Sequence, residues 1–320
     1  MEAKFPTLIV SAHAADRTYR RKPGTYTASF ETTGDRATNV MAQLISDNEA
    51  MTPQAPKLDA PAFDEMAAAY DAVFTASALG RSLRALTWER LDAALSGCQR
   101  VLEIGCGTAE DAVHLALRGI DVLATDPSPS MLRVAAEKAA QAGVRRRIEF
   151  RCVPMEHLGT ELAGRRFDGV WSNFGAVNCV PRLETAVAGL AALLEPGAPL
   201  AWVVMGKHVP WEWLWFLARG NARKAFRRER HGGAVWRGMR IAYPTPAELT
   251  RAVAPHFTPT RCRPLGFVLP PSYASGWLER RPRLLASLTR VERSAQRCQP
   301  LAAFADHYIF EARRLPARDA

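Results

Sequence analysis

Arg100-Val101-Leu102-Glu103-Ile104, followed by Gly105-Cys106-Gly107, reads as a buried strand running into a glycine-rich turn, with a helix expected from Ala109 to Arg118. Strand, glycine turn and helix in that order make a nucleotide-binding arrangement. Glycine turns sharply and lets a ligand approach the backbone. In such sites a carboxylate about 20 residues on, at the end of the next strand, accepts hydrogen bonds from ribose hydroxyls. Asp126 holds that position, after the strand expected at Asp121 to Thr125. Taken alone, Asp126 is explained as well by a cap on the helix that follows it.

The pattern repeats outward from this loop. Ser130 to Ala142 is an alanine-rich helix, Arg147 to Cys152 a third strand and Phe167 to Ser172 a fourth. Glu184 to Leu194 is helical, and Glu195-Pro196-Gly197 turns into a fifth strand at Leu200 to Val204. Repeated βα units of this length predict an α/β fold, a doubly wound Rossmann-like sheet. Residues 61–97 form a helical cap before it: Phe63, Met66, Tyr70 and Phe74 recur at three- and four-residue steps, with a break expected at Gly80. The main domain is expected over 98–320, interrupted by insertions at 206–243 and 270–300. Between them Thr245 and Glu248 form a capping box for a helix to Val253, with a strand from Thr258 to Leu265. His307 to Arg313 is the last strand. Residues 1–60 hold no apolar period and are expected as a disordered extension, with Met51 an alternative start.

The formal net charge of +10 is local. Residues 206–240 carry nine Lys/Arg against two Glu, and 271–300 carry six Arg against two Glu. The remainder is close to neutral, which excludes a uniformly basic nucleic-acid binder and points to an acidic ligand or surface. The six cysteines have no CxxC spacing, which reads as reduced thiols of a cytoplasmic protein and excludes a zinc cluster, so no metal is expected. No apolar run is long enough to span a membrane.

A dinucleotide site fits the loop outline, so its charges must discriminate. The dinucleotide fingerprint requires glycine at the sixth position, where Glu110 stands. Asp111 follows it and Glu103 precedes the loop, and these carboxylates would repel a pyrophosphate. They suit a cationic ligand without phosphate, and S-adenosyl-L-methionine, with a sulfonium, an ammonium and one carboxylate, is one.

Glu103 to Ala109 resembles the first motif of class I S-adenosylmethionine-dependent methyltransferases, of the small-molecule type. Thr125-Asp126-Pro127-Ser128-Pro129-Ser130-Met131-Leu132 resembles the second motif, Phe167 to Trp171 the fourth strand, and Leu194 to Ala198 the turn into strand five. The resemblance covers roughly Phe63 to Val204. It implies a seven-stranded sheet with an antiparallel last strand and S-adenosyl-L-methionine as cofactor. By the resemblance, Glu103 organises the methionine amino group, Gly105, Cys106 and Gly107 pass beneath the cofactor, Asp126 and Pro127 hold the ribose side and Met131 covers the adenine. Asn173 lies near the methyl group and Tyr70 closes over the cofactor. Two departures stand out. Ala109 replaces a common third glycine, a change compatible with a helix start. Pro154 falls where an acidic residue is frequent, which leaves the adenine to Met155 and Glu156.

The residues after strand four, Ser172-Asn173-Phe174-Gly175, lack the Asn/Asp-Pro-Pro-Tyr of base and glutamine methyltransferases. A small-molecule acceptor remains. Both insertions leave the carboxyl edge of the sheet, where ligands bind in open α/β folds, so they are expected to form a lid. Phe174, Trp211, Trp215 and Tyr273 are the expected acceptor-binding residues. Aromatics followed by Arg219, Arg223, Lys224, Arg227 and Arg228 suit an acidic or amphiphilic acceptor; a solvated basic helix face explains any single arginine as well. His208 and Tyr243 are the expected catalytic bases, with Tyr273 a further candidate and His307 read as structural. Transient docking on an anionic membrane, an RNA substrate, a non-catalytic cofactor-binding regulator and a nicotinamide oxidoreductase stay open as rivals.

Overall fold

The computed structural model describes residues 63–274 and 276–316, so the extension expected over 1–60 lies outside the described residues. Nine strands are present among them: β1 (Arg100–Ile104), β2 (Asp121–Thr125), β3 (Ile148–Arg151), β4 (Gly169–Ser172), β5 (Pro199–Met205), β6 (Ala234–Trp236), β7 (Met239–Ile241), β8 (Phe257–Leu265) and β9 (His307–Arg314). Seven of them form one sheet in the order β3-β2-β1-β4-β5-β9-β8. The first five pair in parallel, and β9 runs antiparallel to both β5 and β8. This is the doubly wound sheet with an antiparallel last strand.

Alternation along the strands builds two cores. Leu200, Trp202 and Val204 pack on one face, where Leu190 of the helix α4 (Leu183–Ala191) and Leu249 of α6 (Pro246–Val253) meet them. Ala201 and Val203 point to the other face. That layer is formed by α1 (Ala78–Ala94), α2 (Glu110–Leu117), α3 (Pro129–Gln141) and α7 (Pro282–Ala295). Trp171 and Trp202 are fully buried, each contributing a term of about 3–5 kcal/mol against truncation to alanine.

Boundaries differ from the sequence reading for local reasons. The fourth strand starts at Gly169 rather than Phe167, because the Asp168 carboxylate accepts from the backbone N–H of Gln99 at 2.7 Å and of Arg100 at 2.9 Å. The cap does not break at Gly80. Short helical turns over 64–75 end before Ser77, whose hydroxyl accepts from the Gly80 N–H at 2.9 Å and starts α1. Gly80 lies within the first turn of α1, where its bare Cα clears the Phe74 carbonyl oxygen. The capping box of Thr245 and Glu248 is formed.

The first insertion holds α5 (Pro210–Leu217) and the β6–β7 hairpin, which the sequence reading missed. Its turn residues Arg237 and Gly238 both have positive φ, as a two-residue type I′ hairpin turn requires. The hairpin reaches the N-terminal segment: Trp236 packs on Phe63 with ring centroids 5.0 Å apart, and Arg237 pairs with Glu65 at 2.9 Å.

An exposed helical glycine normally gains stability on mutation to alanine. Gly80→Ala should do the opposite, lowering stability by about 1–3 kcal/mol, read as a lower urea midpoint at unchanged m, as overpacking does. A stabilised variant would show that this contact yields freely.

Candidate functional site

The parallel register brings the ends of β1, β2 and β4 to one edge of the sheet, at Ile104, Thr125 and Ser172. Met205 ends β5 and Leu265 ends β8 on that edge, both opposite His307, the first residue of β9. The glycine loop leaves β1 there. Gly105 is required twice, since its φ is +65° and a Cβ would collide with Ala176. Gly107 has φ +51° and open space where its side chain would be, so a ligand can approach its backbone. Ala109 is no ordinary helix start. It sits in the left-handed region at φ 60° as the N-cap of α2, a conformation that costs an alanine roughly 1–2 kcal/mol.

The four carboxylates around the loop divide into two kinds. Glu110 pairs with Lys138 at 2.8 Å. Asp111 is buried and pairs with Arg84 at 2.7 Å, while also accepting from Trp88 Nε1 at 2.7 Å, Asn173 Nδ2 at 2.6 Å and Trp171 Nε1 at 3.2 Å. Burial alone would raise the Asp111 carboxyl, but Arg84 and these donors hold it below its ordinary value. Those two charges are therefore spent inside the protein. The sequence reading had counted them toward a ligand.

Glu103 and Asp126 are the other kind. Glu103 is 2% exposed and its Oε2 has no hydrogen-bond partner. Burial, followed by the nearby Asp111, pushes its carboxyl well above the ordinary range. Asp126 accepts from Gly107 N at 2.9 Å and from Ser128 N at 2.9 Å, and burial still pushes it up to about 6. The cap of α3 is Ser128, which accepts from Met131 N, so Asp126 grips the loop instead. An orphaned buried carboxylate, a second raised one and an open glycine backbone fit a ligand bearing positive charge and hydroxyl donors.

The structure groups the remaining residues unequally. Met131 and Met155 are buried, and Pro127 and Glu156 are exposed beyond β2 and β3. Cys106 is buried with its thiol pushed well up by burial, so it is no nucleophile. Asn173 is buried on Asp111, and its Oδ1 accepts from Phe174 N at 2.9 Å. Phe174, at φ 46°, lies among Phe74 at 5.0 Å, His307 at 5.7 Å and the Arg84 guanidinium at 5.1 Å. Tyr70 follows at 6.1 Å from Phe74.

The lid residues cluster around another buried carboxylate. Glu212 is 1% exposed and takes Arg227 at 2.6 Å, Arg228 at 2.8 Å and the Tyr273 hydroxyl at 3.1 Å. Arg228 continues to Asp306 at 2.7 Å and lies 5.1 Å from the Tyr243 ring. Trp211 donates to the Phe267 carbonyl at 3.1 Å, and Trp215 carries the Arg219 guanidinium at 3.4 Å. Burial raises both Tyr243 and Tyr273, so each is a phenol in the resting protein rather than a proton acceptor. His208 meets Glu229 at 3.0 Å, with Trp213 and Phe304 as ring neighbours. Sequence reasoning missed Arg84, Arg228 and Asp306 as organisers. Nothing in their spacing announces partners 27 or 78 residues distant.

An acidic glycine loop at the carboxyl edge of a sheet ordered β3-β2-β1-β4-β5-β9-β8 is a Rossmann-like arrangement. Residues 101–197 match the family described as Methyltransferase domain. A ubiquinone biosynthesis O-methyltransferase of Bordetella avium is 34% identical over 119 residues, 35% of this chain and 45% of that one. A demethylmenaquinone methyltransferase of Renibacterium salmoninarum is 31% identical over 141 residues, 43% and 54% of the two chains. The chain thus spans about half the length of these curated relatives. Among solved structures, the CcbJ methyltransferase from Streptomyces caelestis has a TM-score of 0.48 at 17% identity, over 73% of this chain and 90% of that one. Residues 101–197, from β1 to the turn before β5, thus make up a methyltransferase domain. Among the described residues no helix is long and apolar enough to cross a membrane, and no His/Cys/Asp/Glu cluster could hold a metal.

Glu103 gives a stability prediction with a definite sign. Its folded pKa is raised, so at neutral pH the unfolded state is ionised while the folded state resists ionisation. That cost is absent below the unfolded carboxylate value of about 4.3 and grows as pH rises above it. Glu103→Gln should therefore raise the melting temperature of the ligand-free protein by a few degrees at pH 7, with the gain closing toward pH 4. An unchanged or lower melting temperature at pH 7 would place a partner on the carboxylate.

Proposed function

We propose that this protein is an S-adenosylmethionine-dependent methyltransferase acting on a small-molecule acceptor. The observation that carries the reading is the buried, unpartnered Glu103 Oε2 at the start of the loop in which Gly107 has open space where a side chain would be. When bound, the cofactor would supply an electrophilic methyl group on a sulfonium. The chain's own residues would then work as follows. Glu103 holds the ammonium, which relieves its buried charge. Gly105, Cys106 and Gly107 pass beneath the ligand without side-chain obstruction. Asp126 accepts from the ribose hydroxyls, with Pro127, Met131, Met155 and Glu156 around the adenine. Tyr70 and Asn173 border the reacting end.

Phe174, Trp211, Trp215 and Tyr273 are the proposed acceptor wall. One relative above is named a ubiquinone biosynthesis O-methyltransferase and the other a demethylmenaquinone methyltransferase; both names support an acceptor with an apolar body, and the first supports oxygen as the accepting atom. Methyl transfer is an in-line displacement, so the protein's tasks are alignment, exclusion of water and removal of the acceptor proton. Calorimetry should show S-adenosylmethionine and S-adenosylhomocysteine binding one site, with at least tenfold weaker binding in Asp126→Ala. NAD binding in place of either would remove the reading. Binding without turnover across hydroxylated aromatic acceptors would favour the non-catalytic alternative.

The lid's outer face supports a peripheral role. Leu214 is 67% exposed, and Leu217 and Phe226 are also exposed, beside Arg219, Arg223 and Lys224. Apolar tips ringed by cations suit an anionic bilayer. The protein should co-sediment with phosphatidylglycerol vesicles and be released by Leu214→Glu. Equal sedimentation with neutral vesicles would remove this docking mode.

A further inference from the structure

The short helical turns over 64–75 form a strap between the two loops that flank the proposed cofactor site. On the glycine loop, Thr108 donates its hydroxyl to Asp71 Oδ1 at 2.7 Å, and Lys138 of α3 reaches Asp71 Oδ2 at 2.6 Å. On the loop after Asp126, Asp64 Oδ1 accepts from the Ser128 hydroxyl and from Ser130 N at 3.2 Å. These contacts are polar and partly exposed, so water replaces them at little cost when the strap lifts.

The strap is also held at both ends, and each holder belongs to an insertion. At its start, Phe63 packs on Trp236 with ring centroids 5.0 Å apart, and Glu65 pairs with Arg237 at 2.9 Å. Just past its end, the N–H of Ala78, the first residue of α1, donates to both oxygens of Glu279, at 3.1 and 3.3 Å. Trp236 and Arg237 lie in the β6–β7 hairpin of the first insertion, and Glu279 ends the helical turn Gly276–Glu279 of the second. Tyr273 of the second insertion donates to Glu212 of the first at 3.1 Å, so a strap tied to both is tied to one lid.

The hairpin is built as a fixed arm. Asn178 is buried and donates through Nδ2 to the Ala242 carbonyl at 2.7 Å and to the Met205 carbonyl at 3.1 Å. Ala242 N donates back to the Asn178 carbonyl at 2.8 Å, which fastens the base of the hairpin to the end of β5. At the tip, Arg237 holds φ 47°, a conformation glycine adopts at less cost. What glycine would lack is the guanidinium, which reaches Glu65 and lies 5.4 Å from the Trp236 ring. Strain retained at such a contact points to a use for the contact.

We propose that Trp236, Arg237 and Glu279 are the catches of a cofactor gate. They hold the strap down, so the cofactor enters or leaves only when the lid that carries the acceptor wall releases it. The proposal rests on the methyl-transfer reading above. The three are positioning residues that act through the strap, which carries Tyr70. Cofactor exchange is thereby confined to the state in which the lid is open, and the cofactor stays in place while an acceptor is enclosed.

A catch made both with and without cofactor slows entry and exit alike. Its loss raises both rates and leaves the affinity nearly unchanged, whereas loss of a ligand contact raises the exit rate alone. Rapid filtration of labelled S-adenosylhomocysteine onto and off the full chain reads both rates. Trp236→Ala and Glu279→Ala should each raise association and dissociation by roughly fivefold or more, with Kd moving by less than about threefold. The Phe63→Ala/Trp236→Ala double variant should exchange no faster than Trp236→Ala, because the two remove one contact. Arg237→Gly should exchange about twofold faster or more while melting no earlier than wild type, since glycine relieves the turn. That variant carries the test where Trp236→Ala melts early. Rates within about twofold of wild type in both Trp236→Ala and Glu279→Ala, or dissociation alone accelerated, overturn the proposal. Wild-type protein that binds no S-adenosylhomocysteine defeats the methyl-transfer reading instead.

Discussion

The pairing of Arg84 with Asp111 organises the site. Both are buried, Arg84 at 7% exposure and Asp111 at 3%. Removing water from an ion pair is costly, and breaking such a pair leaves a charge uncompensated at about 3–5 kcal/mol. Asp111 is therefore saturated by three further N–H donors, from Trp88, Trp171 and Asn173. Those donors come from α1, β4 and the segment after β4, while Asp111 itself sits in the first turn of α2. One carboxylate thus fixes the helix after the glycine loop, the cap helix and the end of β4 relative to one another. The cationic face of Arg84 also reaches the Phe174 ring.

This constraint explains why Glu103 can remain without a partner. A site that must take up a cation needs a buried carboxylate that is not already neutralised. If Arg84 lay on Glu103, the ligand's charge would gain nothing there. With Arg84 committed to Asp111, the strain of burial falls on Glu103 and Asp126, the two carboxyls pushed upward. At the proposed site, a matching cationic ligand would remove that unfavourable term on binding.

Much of this was legible in the chain. β1 and β2 were read to the residue, because both are short apolar runs bounded by turns and polar residues, fully buried beyond their first residue. The Thr245–Glu248 box was legible because a capping box is local chemistry. The β6–β7 hairpin was not, since Arg237 in a positive-φ position carries no turn signal of its own. The charges misled more than the apolar residues did. Glu110 and Asp111 looked like ligand groups because spacing places them near the loop, but Lys138 and Arg84 reach them from elsewhere in the chain. Periodicity reports which face is buried; it does not report which ions meet there.

The basic insertion shows the same limit from the other sign. Its arginines read as a surface for an anionic acceptor, yet Arg227 and Arg228 turn inward to Glu212, Arg219 stacks on Trp215, and Arg237 reaches Glu65. Glu212, one of two acids in a stretch with nine cations, decides where the stretch folds. Through Arg228 it ties the first insertion to Asp306, and through Tyr273 to the second. Two buried acids therefore do the organising: Asp111 beside the glycine loop and Glu212 among the lid residues. His307 approaches the second network at Asp306, 3.1 Å from its Nδ1, and touches the first through Phe174, which Arg84 also contacts. Placement of that imidazole is consequently a property of both networks, and a change at either end reaches it through packed, charged contacts rather than through a flexible loop.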